Sequence, residues 1–144
     1  MTITIREATE AHGDHLFKMN HHLMEDEKYD RTPSDGDLKK RWREFLSLER
    51  FGVYLFEEND VIVGYAIVHL DESPPYLRHF FISRDHRRKG LGTLCFKTLL
   101  GYLKTDSIDL DVMSWNERGY EFWKSLGFTE RCRVMTYVES PTEP

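Results

Sequence analysis

The stretch from Tyr76 to Lys104 constrains this chain more than any other. YLRHFFIS has the aromatic and apolar content of a strand, RDHRRKGLG is a basic turn containing two glycines, and TLCFKTLL continues as an apolar helix. Strand, glycine turn and helix together make a device for holding anions. The first N–H groups of a helix have no internal partner, and the helix dipole adds about half a positive charge there. Phosphates suit that position. Gly90 and Gly92 remove side chains, so a diphosphate can approach the backbone, and Arg87, Arg88 and Lys89 add charge at the rim. The competing reading is a turn with a solvated charged face. The spacing is neither the GxxxxGK[ST] of a P-loop nor the GxGxxG of a dinucleotide fold.

The chain around this turn has the opposite sign. Twenty-five acidic against 20 basic side chains give a formal charge of −5. That argues against nucleic acid as a partner and makes the basic run a local site. With 144 residues, 40% of them hydrophobic, the sequence is expected to bury one core, as a single domain over 1–139 with a tail at 140–144. Cys95 and Cys132 have no metal-ligand spacing, so no metal is expected. The start, MTITIREATE, lacks the apolar run of a signal peptide, and no segment reaches membrane-spanning length. A cytoplasmic protein without a membrane partner is the expectation.

Periodicity orders the remaining elements. TITIR alternates like a half-buried strand, and Thr9 to Met24 turns helical with Leu16, Met19, Asn20 and Leu23 on one stripe. After the polar loop 25–37, Ser34 or Asp35 caps a helix presenting Leu38, Trp42, Phe45 and Leu46. FGVYLFEE and VIVGYAIVHL flank an Asn-Asp turn and read as a hairpin. SIDLDVM reads as a strand, Asn116 to Leu126 as a short helix ended by Gly127, and FTERCRVMTYVE as a last strand. The order β-α-α-β-β-β-α-β-α-β predicts a mixed α/β (α+β) layered fold.

Ile82, the run Arg87-x-x-Gly90-x-Gly92, and Asn116…Phe122-Trp123…Gly127-Phe128 together resemble the GNAT superfamily of N-acetyltransferases. The first block is similar to the family's [RQ]-x-x-G-x-[GA], and the second to its N-x-x-A-x-x-F-Y-x-x-x-G-F. The resemblance covers nearly the whole chain. It implies a central, mostly antiparallel twisted sheet flanked by helices and splayed at the cofactor site. It also implies acetyl-CoA as the donor.

By this resemblance, backbone groups of the Phe80-Phe81-Ile82 strand, chiefly those of Phe80 and Ile82, pair with the pantetheine arm. Amides from Arg88 through Lys89, Gly90, Leu91 and Gly92 to Thr93 hold the diphosphate, with Arg87 at the rim. Asn116 and Trp123 complete the cofactor wall, although Asn116 reads equally as a plain helix cap. A strand N–H near Phe80 stabilises the oxyanion. The family's usual acid is a tyrosine at the position of Trp123, and an indole cannot serve. Tyr120, one turn earlier, is the candidate replacement. His79 and Tyr76 are the candidate bases, and each also reads as an ordinary packed side chain.

The first two helices and their loop would cover the acceptor. Glu25, Glu27 and Tyr29 there suit a small cationic amine through ion pairing and cation–π contact, against the reading of a solvated loop. The expected function is acetyl transfer to a small-molecule primary amine. The alternatives are a protein or peptide acceptor, or a CoA-binding module with little catalysis. A homodimer and a monomer fit the sequence equally.

Overall fold

A computed structural model describes residues 2–87 and 90–140. One antiparallel sheet runs in the order β1 (Thr4–Glu7), β2 (Phe51–Glu58), β3 (Val61–His69) and β4 (Tyr76–Ile82). The β2–β3 hairpin turns at Asn59 and Asp60, whose φ values of 53° and 64° are the left-handed conformation such a turn demands. Helices α1 (Gly13–Asp26) and α2 (Asp35–Ser47) cover one face. Helices α3 (Leu91–Leu103) and α4 (Glu117–Ser125) cover the other.

Two cores result, one on each face. Val53, Leu55, Tyr65, Ile67 and Phe81 pack against Leu16, Met19, Leu23, Leu38, Trp42 and Phe45. Tyr54, Phe56, Ala66, Val68 and Leu77 pack against Leu91, Cys95, Phe96 and Leu99. Successive residues of β2 and β3 therefore enter opposite cores, which is why both strands read as unbroken apolar runs. Cys95 is fully buried, and burial pushes its thiol up to about 12, as a packing residue. Asn20 is buried too, and it accepts a 2.9 Å hydrogen bond from Trp42 Nε1 that locks α2 onto α1. Ser34 caps α2, its hydroxyl accepting from Asp37 N–H at 3.2 Å.

Two expected strands take other forms. Within 107–113 there is only a single parallel bridge, Tyr76 to Asp109. Ile108 is anchored in the core, and the chain then leaves β4. From Thr129 to Ser140 the backbone forms no strand and is exposed throughout. Its apolar residues come in adjacent pairs, Val134-Met135 and Val138 beside Tyr137, each at least three-quarters exposed. Adjacent residues point to opposite sides of a strand, so this segment has no single apolar face to bury.

Candidate active site

Strand β4 is the edge of the sheet, and its hydrogen bonding changes phase halfway along. Leu77 N–H donates outward to Asp109 O at 2.7 Å, whereas Ser83 N–H donates inward to Val63 O at 2.8 Å. These residues are six apart, and strict alternation would aim both the same way. The register supplies the reason: Ile67 pairs with His79 and Val68 with Leu77, so Arg78 is an extra, bulged residue. Counting back from Ser83, the peptide groups of Phe80 and Ile82 face the open edge. Those of Phe81 face β3, where Phe81 pairs with Tyr65. Phe81 therefore cannot serve the open edge as expected. Beyond Asp109 no described strand covers that edge, so β4 and the 110–113 segment diverge.

The outward groups of β4 lead toward the start of α3. Gly90 caps the helix with φ 89°, which favours glycine. The first helical bond is Leu94 N–H to Gly90 O at 3.0 Å, so the amides of Leu91, Gly92 and Thr93 point out of the helix end. The Leu91 side chain is buried, leaving only its backbone for a ligand. A Cβ on Gly92 would meet Phe122 Cζ at 3.2 Å, so the glycine sets how close α4 approaches. Arg87 turns inward instead of lining the rim. Its Nε donates to Ile82 O at 2.9 Å, its Nη2 pairs with Asp26, and its guanidinium lies 5.2 Å over Phe81. Arg88 and Lys89 lie outside the described residues.

At the far wall, Asn116 Oδ1 accepts from Gly119 N–H at 3.0 Å and caps α4. Among the described residues no hydrogen bond from its amide Nδ2 is seen. Trp123 sits in an aromatic cluster, 5.2 Å from Phe80, 5.5 Å from Phe96 and 5.3 Å from Phe128. Tyr120 is exposed, with Lys124 Nζ 5.9 Å from its ring centre.

The α1/α2 side of the sheet carries the titratable groups. His79 Nδ1 lies 3.0 Å from the Tyr65 hydroxyl, with the rings of Trp42 and Phe45 against it. Burial, then Arg78 and Arg41, push its imidazole down to about 3. It is therefore neutral at physiological pH and a weak base. Burial raises the Tyr65 hydroxyl, with Glu27 contributing, which keeps it a hydrogen-bond donor. Burial also raises Tyr76, and its neighbour Asp111 reinforces this, so Tyr76 stays a protonated phenol. Glu27 is half-buried. Burial, then Asp26, lift its carboxyl above the usual glutamate range. The Glu27 backbone carbonyl accepts from Trp115 Nε1 at 2.9 Å, tying the end of α1 to the residue before Asn116.

The other acidic residues of the loop act differently. Glu25 pairs with Arg84 at 3.1 Å and so braces the turn. Asp26 binds both Arg84 and Arg87. Burial alone would raise its carboxyl, but those two hydrogen bonds more than offset this and hold it below its usual value. Tyr29 is exposed, near Arg78 and the acceptor side of β4. Lys28, Asp30 and Trp115 line an open cleft of about 350 Å³. Tyr65, Arg78 and Trp115 are absent from the sequence-derived site. Tyr65 reads as core, and the bulge that turns Arg78 is set by pairing with a strand far away in sequence. Among the described residues no cluster of His, Cys, Asp and Glu gathers as for a metal ion. No helix among them is long and apolar enough to cross a membrane.

Residues 16–128 match a family model described as the acetyltransferase (GNAT) family. Among solved structures, a tetramutant of the BH1408 protein from Bacillus halodurans is similar at 26% identity. The match covers 94% of this chain and 99% of that one, with a TM-score of 0.79. A possible acetyltransferase from Clostridium difficile 630 shares 21% identity over 99% and 100%, with a TM-score of 0.74. AAC(6')-Iy, solved with the bisubstrate analogue CoA-S-monomethyl-acetylneamine, shares 21% over 97% and 99%, with a TM-score of 0.70. No curated protein sequence matches the chain.

Proposed function

Because this chain belongs to the GNAT acetyltransferase family, we propose that it moves an acetyl group from acetyl-CoA to the primary amine of a small molecule. The observation that carries this reading is the phase change in β4. It turns the peptide groups of Phe80 and Ile82, the Ile82 carbonyl already accepting from Arg87, to an edge that no described strand covers and that leads to the outward-pointing amides of Leu91, Gly92 and Thr93. An extended amide-bearing arm pairs with such an edge as a strand would, and a diphosphate suits the helix start behind it. Asn116 Nδ2 adds a donor on the opposite wall. AAC(6')-Iy, an aminoglycoside N-acetyltransferase also solved with CoA, supports a small amine as acceptor.

The roles follow from the placement of the groups. The acceptor enters as an ammonium ion, drawn by Asp30, Glu27 and the exposed face of Trp115. Glu27 takes the nitrogen's proton, directly or through a water, because burial lifts its carboxyl above the usual glutamate range and so makes it a better base. The nitrogen lone pair then bonds the thioester carbon. A β4 N–H near Phe80 donates to the oxygen as charge builds there. The nitrogen sheds its second proton to water and the C–S bond breaks; the sulfur leaves as a thiolate, or as a thiol with a proton from Tyr120, which water then restores. Loss of the acid is tolerable, since a thiolate near pKa ~8.5 leaves without help. His79, a neutral acceptor for the Tyr65 hydroxyl, fixes the floor of the site. Tyr76, held protonated, is a donor beside it and not the base.

Calorimetric titration with CoA and acetyl-CoA, followed by a free-thiol assay over an amine panel, tests the reading. Saturable CoA binding with amine-dependent thiol release is expected. In the same assay Tyr120→Phe is expected to lower kcat if the phenol supplies the proton, and an unchanged kcat removes it as the acid. No affinity for either coenzyme at millimolar concentration sinks the proposal.

A further inference from the structure

Arginines gather at the start of β4, and the transfer described above uses none of them. Arg78, the bulged residue, lays its guanidinium 5.2 Å over the Phe45 ring, and its Nη1 lies 3.4 Å from His69 Nε2. Arg50 lies 4.9 Å over Phe51 in the same way. Arg41 approaches from α2, and all three line one cavity of about 410 Å³. Burial lowers the proton affinity of Arg78, and Arg41 lowers it further, so two cations face each other here.

Arginines held this close ordinarily close on carboxylates. Among the described residues no carboxylate reaches ion-pair distance of Arg41, Arg50 or Arg78. Glu44, Asp71 and Glu72 also line the cavity and balance its overall charge. They therefore keep it from attracting anions in general, without occupying the guanidinium edges. The aromatic rings hold the faces of Arg78 and Arg50, and Arg78 Nη1 lies against His69, which leaves the remaining N–H groups of those edges for bidentate contact. Tyr29 and Tyr76 lie near Arg78, which places the cavity beside the proposed acceptor side.

We propose that Arg41, Arg50 and Arg78 form a subsite for an oxyanion group, carboxylate or phosphate, so that the acceptor is a primary amine bearing an acid. This rests on the acetyltransferase reading and narrows its substrate class. The amine would lie toward Glu27 and the acid toward the arginines, with the bulge between them. A plain alkylamine or polyamine would leave the guanidinium edges without a charge-assisted partner.

The test titrates the full chain calorimetrically with glutarate and with inorganic phosphate. Saturable binding of at least one is expected, weakened about tenfold in Arg41→Gln and in Arg78→Gln, the loss of one charge-assisted contact. Arg43→Gln, an exposed arginine of α2 outside the cavity, is expected to bind as the wild type does. Glutarate binding alone assigns a carboxylate, and phosphate binding alone assigns a phosphate. No saturable binding of either at millimolar concentration, or an equal loss in all three variants, overturns the subsite. CoA titrated into the same samples reports separately on the acetyltransferase reading, because none of these arginines lines the CoA edge. In the turnover assay, γ-aminobutyrate is expected to outrun butylamine, and Arg41→Gln to erase that preference.

Discussion

Replacing Glu27 with glutamine tests the base through two signatures of opposite sign. Glutamine keeps the size of the side chain, and the Trp115 bond goes to the backbone carbonyl, so the end of α1 stays tied down. Removing a positioned general base lowers kcat by roughly 10²- to 10⁴-fold. Stability moves the other way. The carboxyl is raised in the fold above its ordinary 4.5, because burial disfavours its charge. The folded chain therefore holds this proton more tightly than the unfolded chain. Its contribution to stability falls as pH rises through the folded value, and at neutral pH the charged carboxylate is a net cost. Glu27→Gln is thus expected to be slower and to melt higher at pH 7, with the gain in Tm vanishing below the ordinary glutamate range. In the wild type, kcat/KM is expected to rise with pH from above 4.5 instead of following a histidine. A free-thiol assay from pH 5 to 9 and thermal melts at matched pH measure both. A kcat within about threefold of the wild type, or a lower Tm at neutral pH, refutes the argument.

Two further outcomes follow from the same side chains. His79→Gln keeps an acceptor for the Tyr65 hydroxyl but removes the imidazole held down to about 3. The unfolded chain protonates this histidine first, so wild-type stability should fall by up to about 1.4 kcal/mol per pH unit as pH drops below 6.5 toward that value, and melts of the variant should lose this share of the slope. Gly90→Ala forces an alanine into φ 89° at the start of α3, costing about 1–2 kcal/mol. Since nothing crowds the added Cβ, CoA affinity measured by titration should fall through displacement of the helix-start amides and not through unfolding.

Local chemistry made much of this molecule legible in the sequence. The Asn-Asp hairpin, the Ser34 cap, the glycine turn at Gly90 and the stripe through Leu91, Cys95 and Leu99 are short-range signals, and each stands where its pattern puts it. The two strands that failed, 107–113 and 128–139, depend on a neighbour to pair with, which no local pattern reports. The site divides the same way. Gly90, Gly92 and Asn116 announce themselves by spacing. Arg87 and Glu25 look like ligand groups in one dimension, yet the fold pairs them with Asp26, Ile82 and Arg84. Glu27 looks like its neighbours in the loop, and only its position beside Tyr65 and Trp115 sets it apart.

The single surplus residue in β4 works like a skipped tooth in a zip. Upstream of Arg78 the strand is fastened outward to Asp109, and downstream the outward groups belong to Phe80 and Ile82. Were Arg78 drawn into regular pairing instead of bulging out, every downstream residue would turn over, pointing those groups into the sheet and swapping Phe80 and Phe81 between the two cores. The gap along which catalysis is proposed to occur therefore persists because each core demands its own side chains from that strand.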